Sequence, residues 1–247
     1  PLNNLQHSLG SVVYQAELGT LLEKTTRLST LSGWIAEIAD YDIPSAQRAG
    51  LLCKGDLMTQ MVMEFPELQG IMGSKYALHD GEDPKVCAAI FEHYQAEPKE
   101  SYAKILALAE SVDILIGFFG IGQKPTGSKD PYGLRRAAIR VVYVLSQEKF
   151  TDIHLKNLLT VARSYFKTKL SNARVCEEVY EFILERIAQF CKAERASMAS
   201  AFEAASAVEF TSLGELFEKM KALESFAKTP EALSLIAANK RVKNILQ

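Results

Sequence analysis

Apolar residues recur at three- and four-residue spacings along almost the whole chain, the signature of helices that bury one face. Leu18, Leu21, Leu22, Leu28, Leu31, Trp34, Ile35 and Ile38 mark a long first helix or a pair of them, with Thr25 and Thr26 as weak points and Trp34 on the core side. Ile43-Pro44-Ser45 then reads as a helix start, with Ser45 as the cap of a helix running from Ala46 to Glu64. A shorter helix is expected over 67–76, and the turn His79-Asp80-Gly81-Glu82-Asp83-Pro84 should launch the next one over 85–94. Ala103 to Phe119 is a further apolar helix. Asp130-Pro131 follows a glycine loop and places proline in the first turn of a helix that buries Leu134, Ala137, Ala138, Val141, Val142 and Leu145.

The second half continues in the same way. Leu155 to Phe166 precedes Asn172 to Lys192, whose stripe is Val175, Val179, Phe182, Ile183, Ile187 and Phe190. An alanine-rich stretch over 197–210 leads to Ser212 and Glu215 at capping-box spacing, and Thr229-Pro230-Glu231 opens a last helix. No strand alternation or hairpin turn stands out, so the expected class is all-α. The weak pattern at Phe150-Thr151-Asp152 suggests two helical domains, 1–150 and 151–247.

Composition narrows the function classes. A chain of 247 residues, 48% hydrophobic, can bury a large core, and a net charge of −2 is not that of a protein gripping nucleic acid indiscriminately. The charge is uneven, however: Gln60 to Glu100 carries eight acidic and three basic residues, and Asp113 to Lys149 carries six basic and three acidic. Cys53, Cys87, Cys176 and Cys191 are scattered without a Cys-x-x-Cys pair, which fits a reducing, cytoplasmic setting and suggests neither a zinc site nor a disulfide framework. No secretory leader or membrane-spanning run is recognisable, and the absent initiating Met and still-periodic final residues suggest a piece of a longer protein.

Three stretches invite a chemical reading. His79-Asp80 is a doublet that could clamp a divalent cation if further ligands converged on it, but it sits in a turn where Asp80 and Asp83 serve more simply as helix caps. Gly70 and Gly73 suit a close helix crossing. The segment from Phe118 to Ala138, FFGIGQKPTGSKDPYGLRRAA, holds four glycines and two prolines in twenty-one residues. It lacks the order G-x-x-x-x-G-K-[ST] of a phosphate-binding loop and follows a helix, which argues against nucleotide hydrolysis. Its parts still suit phosphate contact: Gly127 and Ser128 can expose backbone N–H groups, and Lys124, Lys129, Arg135 and Arg136 supply cations. A rigid connection with Asp130 as a cap is a compatible reading.

The stretches VVYQAELGTLLEKTTRL (12–28), RAGLLCKGDLMTQMVMEFPELQGIMGSKYALHDGED (48–83), FFGIGQKPTGSKDPYGLRRAAIRV (118–141) and ANKRVKNIL (238–246) together resemble the beta subunit of bacterial heterotetrameric glycyl-tRNA synthetase, in its central to late portion. The resemblance implies a noncatalytic share of a class II aminoacyl-tRNA synthetase. It implies as partners the alpha subunit, which uses ATP and Mg to activate glycine, and tRNA(Gly), with no cofactor held by this chain. It also implies an HD-like helical domain over 1–150 and a second helical domain over 151–247 that leads toward an anticodon-binding domain. In the segment Leu51 to Asp56, Cys53 and Lys54 stand where the HD doublet would hold metal, and a lysine ammonium repels a cation, so a degenerate site without metal is expected. A metal-dependent HD phosphohydrolase and a purely structural helical module are the alternatives. The resemblance makes Lys124, Ser128, Lys129, Arg135, Arg136 and Arg140 the tRNA-binding candidates, and Phe65, Leu68 and Ile71 the candidates for the alpha-subunit interface.

Overall fold

The computed structural model describes residues 1–127, 129–166 and 170–245, and these form an all-α protein with one small β-ribbon. The first turn, α1 (Leu2–Leu5), and a 3₁₀ turn at His7–Ser11 lead into strands β1 (Val13–Gln15) and β2 (Gly19–Thr20). The ribbon is antiparallel with an irregularity at Gln15, and the sequence reading overlooked it because three residues are too few to display alternation. Thr20 then caps α2 (Leu21–Ile38) reciprocally with Glu23: the Glu23 N–H donates to Thr20 Oγ1 at 3.2 Å, and the Thr20 N–H donates to Glu23 Oε2 at 2.8 Å. Thr25 and Thr26 do not break α2, because their hydroxyls donate back to the Leu22 carbonyl.

The expected helix over 46–64 is divided. Asp42, not Ser45, is the cap of α3 (Ile43–Leu52), accepting from the Ser45 N–H at 3.0 Å. After α3 the chain passes through a 3₁₀ turn at Gly55–Met58 and enters α4 (Gln60–Glu64), which Thr59 caps. The interruption turns Asp56 inward, where its carboxylate accepts the N–H groups of Gly70 at 2.7 Å and Gly73 at 3.0 Å. Those donors head α5 (Ile71–His79), so an anion sits at the positive end of a helix. The glycines are therefore required on two counts. Gly70 has φ +81°, and a Cβ on Gly73 would lie 2.9 Å from both Asp56 Oδ2 and Ile90 Cγ2.

Asp83 caps α6 (Pro84–Glu92) as expected, whereas Asp80 ends α5 and accepts the Leu2 N–H. The long α7 (Ser101–Gly120) is buried on nearly every side and forms the axis of the molecule. Helices α8 (Leu134–Leu145), α9 (Leu155–Ser164) and α10 (Val175–Glu194) pack around it, followed by α11 (Ala196–Ser206), α12 (Leu213–Phe226) and α13 (Pro230–Ile245). One apolar cluster runs from Leu2 to Met220 through α7, α9 and α10. The α10 stripe is Val175, Val179, Ile183, Ile187 and Cys191, and Phe190 is exposed, because the helix turns its buried seam one residue further at its end. Trp34 is only partly buried against the core. Among the described residues no helix is long and apolar enough to cross a membrane.

Backbones approach each other closely between α2 and α3, where a Cβ on Gly50 would meet Ser29 Cα and N at 2.7 Å. Those are backbone atoms and cannot rotate away. Gly50→Ala is therefore expected to lower stability by about 1–3 kcal/mol, the usual cost of overpacking a well-filled site. Urea unfolding would show this as a lower midpoint at unchanged slope.

Candidate functional site

Two carboxylates three residues apart on α7, Glu110 and Asp113, lie inside the protein; the first gathers one cation and the second two, all from outside α7. Lys54, just past the end of α3, meets Glu110 Oε1 at 2.7 Å and donates to the Tyr94 hydroxyl at 2.8 Å. Its ammonium also lies 3.1 Å from His93 Nε2. His93 Nδ1 is 2.9 Å from the Ile90 carbonyl and 3.1 Å from that of Ala89, so the proton belongs on Nδ1 and Nε2 accepts from Lys54. Asp113 is held by Lys24 at 2.9 Å and by Arg27 at 2.6 Å. Burial opposes all of these charges, but their mutual attraction prevails: Glu110 and Asp113 are held below the ordinary carboxylate range, and Lys54 and Lys24 are held above the ordinary lysine value. Burial, reinforced by the Lys54 charge, depresses His93 to about 3 and keeps it neutral.

This cluster occupies the place where Cys53 and Lys54 were read as a lost metal doublet. Cys53 is fully buried, and burial pushes its thiol up to about 12, which rules it out as a ready thiolate. The centre of the cluster is already filled by an ammonium group that satisfies Glu110, the Tyr94 hydroxyl and His93 together. Among the described residues no three His, Cys, Asp or Glu side chains converge as a metal site, and the His79-Asp80 doublet is divided between the end of α5 and a contact with Leu2. The sequence reading missed Glu110, Asp113, Lys24 and Arg27 altogether. Their signal was present as two acids inside the otherwise apolar run KILALAESVDILIGFFG.

The loop between α7 and α8 is built as a rigid surface. Asp130 accepts the N–H groups of Leu134 at 2.8 Å and Arg135 at 2.9 Å, so it caps α8 from four residues ahead. Pro131 and Tyr132 form the corner of a turn closed by Gly133 at φ +67°, and α8 begins at Leu134, not at the proline. Arg135 reaches back across this turn and donates to the carbonyls of Gly127 at 2.5 Å and Lys129 at 3.3 Å. Lys124 pairs with Glu178 of α10 at 2.8 Å. Arg140 is half-buried and donates to the carbonyls of His93 at 3.2 Å and Tyr94 at 3.4 Å, so it secures the end of α6 instead of facing solvent. Lys129 and Arg136 are exposed and make no ion pair among the described residues. Ser128 lies outside the described residues.

Phe65 is 44% exposed where α4 ends, beside exposed Met61 and Met63. Leu68, in the 3₁₀ turn Pro66–Leu68, and Ile71, first residue of α5, follow in the chain and are half-buried. The neighbouring Gln69 amide donates to the Tyr94 hydroxyl at 2.7 Å, which ties this apolar corner to the buried cluster. On another face, α8, α10 and α12 frame an open groove of about 1410 Å³ lined by Ile139, Phe190 and Met198, with five carboxylates against three Lys or Arg residues. That balance makes it a poor track for a polyanion.

Removing Lys54 should leave Glu110 buried without its main partner. Lys54→Met is expected to cost about 3–5 kcal/mol, and adding Glu110→Leu to it should recover much of that loss, as measured by urea unfolding. The pH dependence follows from His93. Its folded value lies below the ordinary 6.5, so the unfolded chain takes up a proton that the folded one refuses. Stability from this source is complete above pH 6.5 and falls as pH drops toward 3, and Glu110 adds a loss of the same sign at lower pH. His93→Gln should flatten the stability profile between pH 4 and pH 6 by up to about 1.4 kcal/mol per pH unit, the slope of one proton.

The family model described as "Glycyl-tRNA synthetase beta subunit" matches residues 1–207. The glycine–tRNA ligase beta subunit of Stutzerimonas stutzeri is 42% identical over 252 aligned residues, covering 100% of this chain and 36% of its own length. That of Aliivibrio fischeri is 41% identical with the same coverage, and that of Citrobacter koseri is 43% identical over 96% of this chain and 35% of its own length. The chain thus spans little more than a third of the relatives it matches. Its match to the family model nonetheless runs through α1 to α11, including every residue of the buried cluster, and the chain belongs to the glycyl-tRNA synthetase beta subunit family.

Proposed function

We propose that this chain is a noncatalytic, RNA-contacting and assembly portion of a glycine–tRNA ligase, supporting recognition of tRNA(Gly) while the alpha subunit activates glycine with ATP and Mg. The observation that carries the reading is the α7–α8 loop. Its backbone is fixed by Asp130, Gly133 and Arg135; on that frame Lys129 is exposed and Arg136, also exposed, lays its guanidinium over Gly133, and neither makes an ion pair among the described residues. Structured RNA is met largely through phosphate and 2′-hydroxyl groups, and a pair of donors carried on a fixed backbone suits that task. Lys124 and Arg135 act as supports of the frame that add positive potential, and Arg140 contributes by holding the end of α6 behind it. The family membership supports the choice of tRNA(Gly) over other polyanions.

The Lys54 cluster is read as an HD-like site in which an ammonium stands at the position of the cation. A phosphohydrolase reading is disfavoured by that chemistry: a fixed positive charge bound to Glu110 repels a divalent ion from the centre of the pocket. The apolar corner of Met63, Phe65, Leu68 and Ile71 is assigned to the alpha subunit, because an exposed aromatic with two exposed methionines beside it gains from being covered.

Lys129→Ala with Arg136→Ala should weaken tRNA(Gly) binding and reduce the slope of log affinity against log salt by up to about 2, one for each phosphate that is no longer neutralised. Filter binding across a salt series measures this, and unchanged affinity and slope would remove the basis of the RNA reading. Phe65→Asp should reduce assembly with the alpha subunit while leaving the unfolding midpoint nearly unchanged, since the ring is already half in solvent. Native mass spectrometry of the mixed subunits reads the first effect and urea unfolding the second.

A further inference from the structure

Tyr132 is a large aromatic residue at the tip of a polar, basic loop, and it is 42% exposed. It is not free to swing. Its ring lies on that of Phe118 with centroids 4.0 Å apart and planes inclined by 21°, and Phe118 belongs to the buried wall of α7. Phe118 is in turn held edge-on by Tyr14 at 6.2 Å, and Lys24, the partner of Asp113, lies 4.5 Å from the Tyr14 ring. A series of contacts, one of them edge-on and one face-on, therefore runs from the buried Asp113–Lys24 pair to the surface and ends in a ring whose inner face is covered.

Neighbours in the chain decide what such a ring is suited to receive. Lys129 lies three residues before it and Arg136 four residues after it, both exposed. The turn between Asp130 and Gly133 and the clasp of Arg135 on Gly127 and Lys129 fix the backbone on both sides. An aromatic face flanked by cations is the combination that holds an unpaired nucleotide, with the base on the ring and phosphates on the ammonium and guanidinium groups. An apolar protein partner would be poorly matched, because two cations that make no ion pair among the described residues would have to be desolvated along with the ring.

We infer that Tyr132 is a stacking platform for one unpaired base of the bound RNA. This deepens the RNA reading above and rests on it. The ring supplies an interaction that is indifferent to salt and to phosphate, and it separates single-stranded or looped nucleotides from duplex, whose bases are already stacked.

The test uses the 247-residue chain and tRNA(Gly) in a salt series, with Tyr132→Ala, Tyr132→Leu, Tyr132→Phe and Tyr132→Trp beside the Lys129→Ala, Arg136→Ala double variant. Loss of the platform should weaken binding about 5- to 100-fold in the Ala and Leu variants with the salt slope unchanged, and Phe and Trp should bind within about twofold of the original. Leu keeps apolar cover on Phe118, so the result does not depend on the Ala variant folding. Binding by the Leu variant equal to the original overturns the inference. So does a loss in the Phe variant as large as that in Leu, which would assign the effect to the hydroxyl group. An effect of Leu on assembly with the alpha subunit and none on tRNA would make the ring a protein contact and also overturn it. If the double variant loses slope while the Tyr132 series is silent, the RNA reading stands and only the platform falls; absence of tRNA binding by the unmodified chain removes both.

Discussion

The structure depends on a constraint imposed by α7: a helix buried on nearly every side carries two ionised carboxylates that must be met from outside it. Glu110 and Asp113 are three residues apart and so face nearly the same way. Each has its own cations, Lys54 for the first and Lys24 with Arg27 for the second. These partners come from the end of α3 and from α2. Sliding α2 or α3 along α7 by a turn would leave a bare charge in the interior, an error far larger than any apolar mismatch. The ion pairs thus act chiefly on register, and the surrounding apolar cluster provides the bulk of the driving force for burial.

A second anchor lies beside the first. α3 ends at Leu52, Lys54 turns toward Glu110 just beyond it, and the chain continues through the 3₁₀ turn that carries Asp56 inward. That carboxylate needs donors, and Gly70 and Gly73 bring them at the head of α5 because neither has a side chain in the way. The same turn pushes α4 outward and leaves Met61, Met63 and Phe65 at the surface. The exposed apolar corner adjoins these buried charges along the chain, and the bond from Gln69 to Tyr94 ties it to them.

Helix positions were legible because their signals are local: the threonine and proline at 229–230, the aspartate before Pro84 and the serine at 212 act on N–H groups two or three residues away. The break after α3 was not, since the segment 46–64 keeps its apolar spacing through Gly55, and the partner that Lys54 meets just past the helix end, Glu110, is far away in the sequence. The Pro131 start was misplaced for a related reason. Proline suits both a first helical turn and the second position of a β-turn, and the choice is made by Gly133, which can take a positive φ where another residue would be strained. The candidate cations were easy to find by composition, but sorting them required coordinates. Arg140 and Lys124 look the same as Lys129 and Arg136 in sequence, and differ in that the first two have carbonyls or a carboxylate within reach.

The order of the loop bears on the RNA contact proposed for it. A flexible basic loop must be ordered when an anion binds, and each long side chain immobilised costs about 0.5–1.5 kcal/mol. Here Arg135, Asp130 and the glycine turn have already ordered the backbone, and Tyr132 is already fixed on Phe118. Only Lys129 and Arg136 remain to be immobilised. The interior ion network reaches this loop through adjoining contacts: Lys24 lies over the Tyr14 ring, Tyr14 meets Phe118 edge-on, and Phe118 backs the ring at the surface. A net charge of only −2 does not stand against the proposed anion contact, because that contact needs only a local excess of positive charge on an ordered loop.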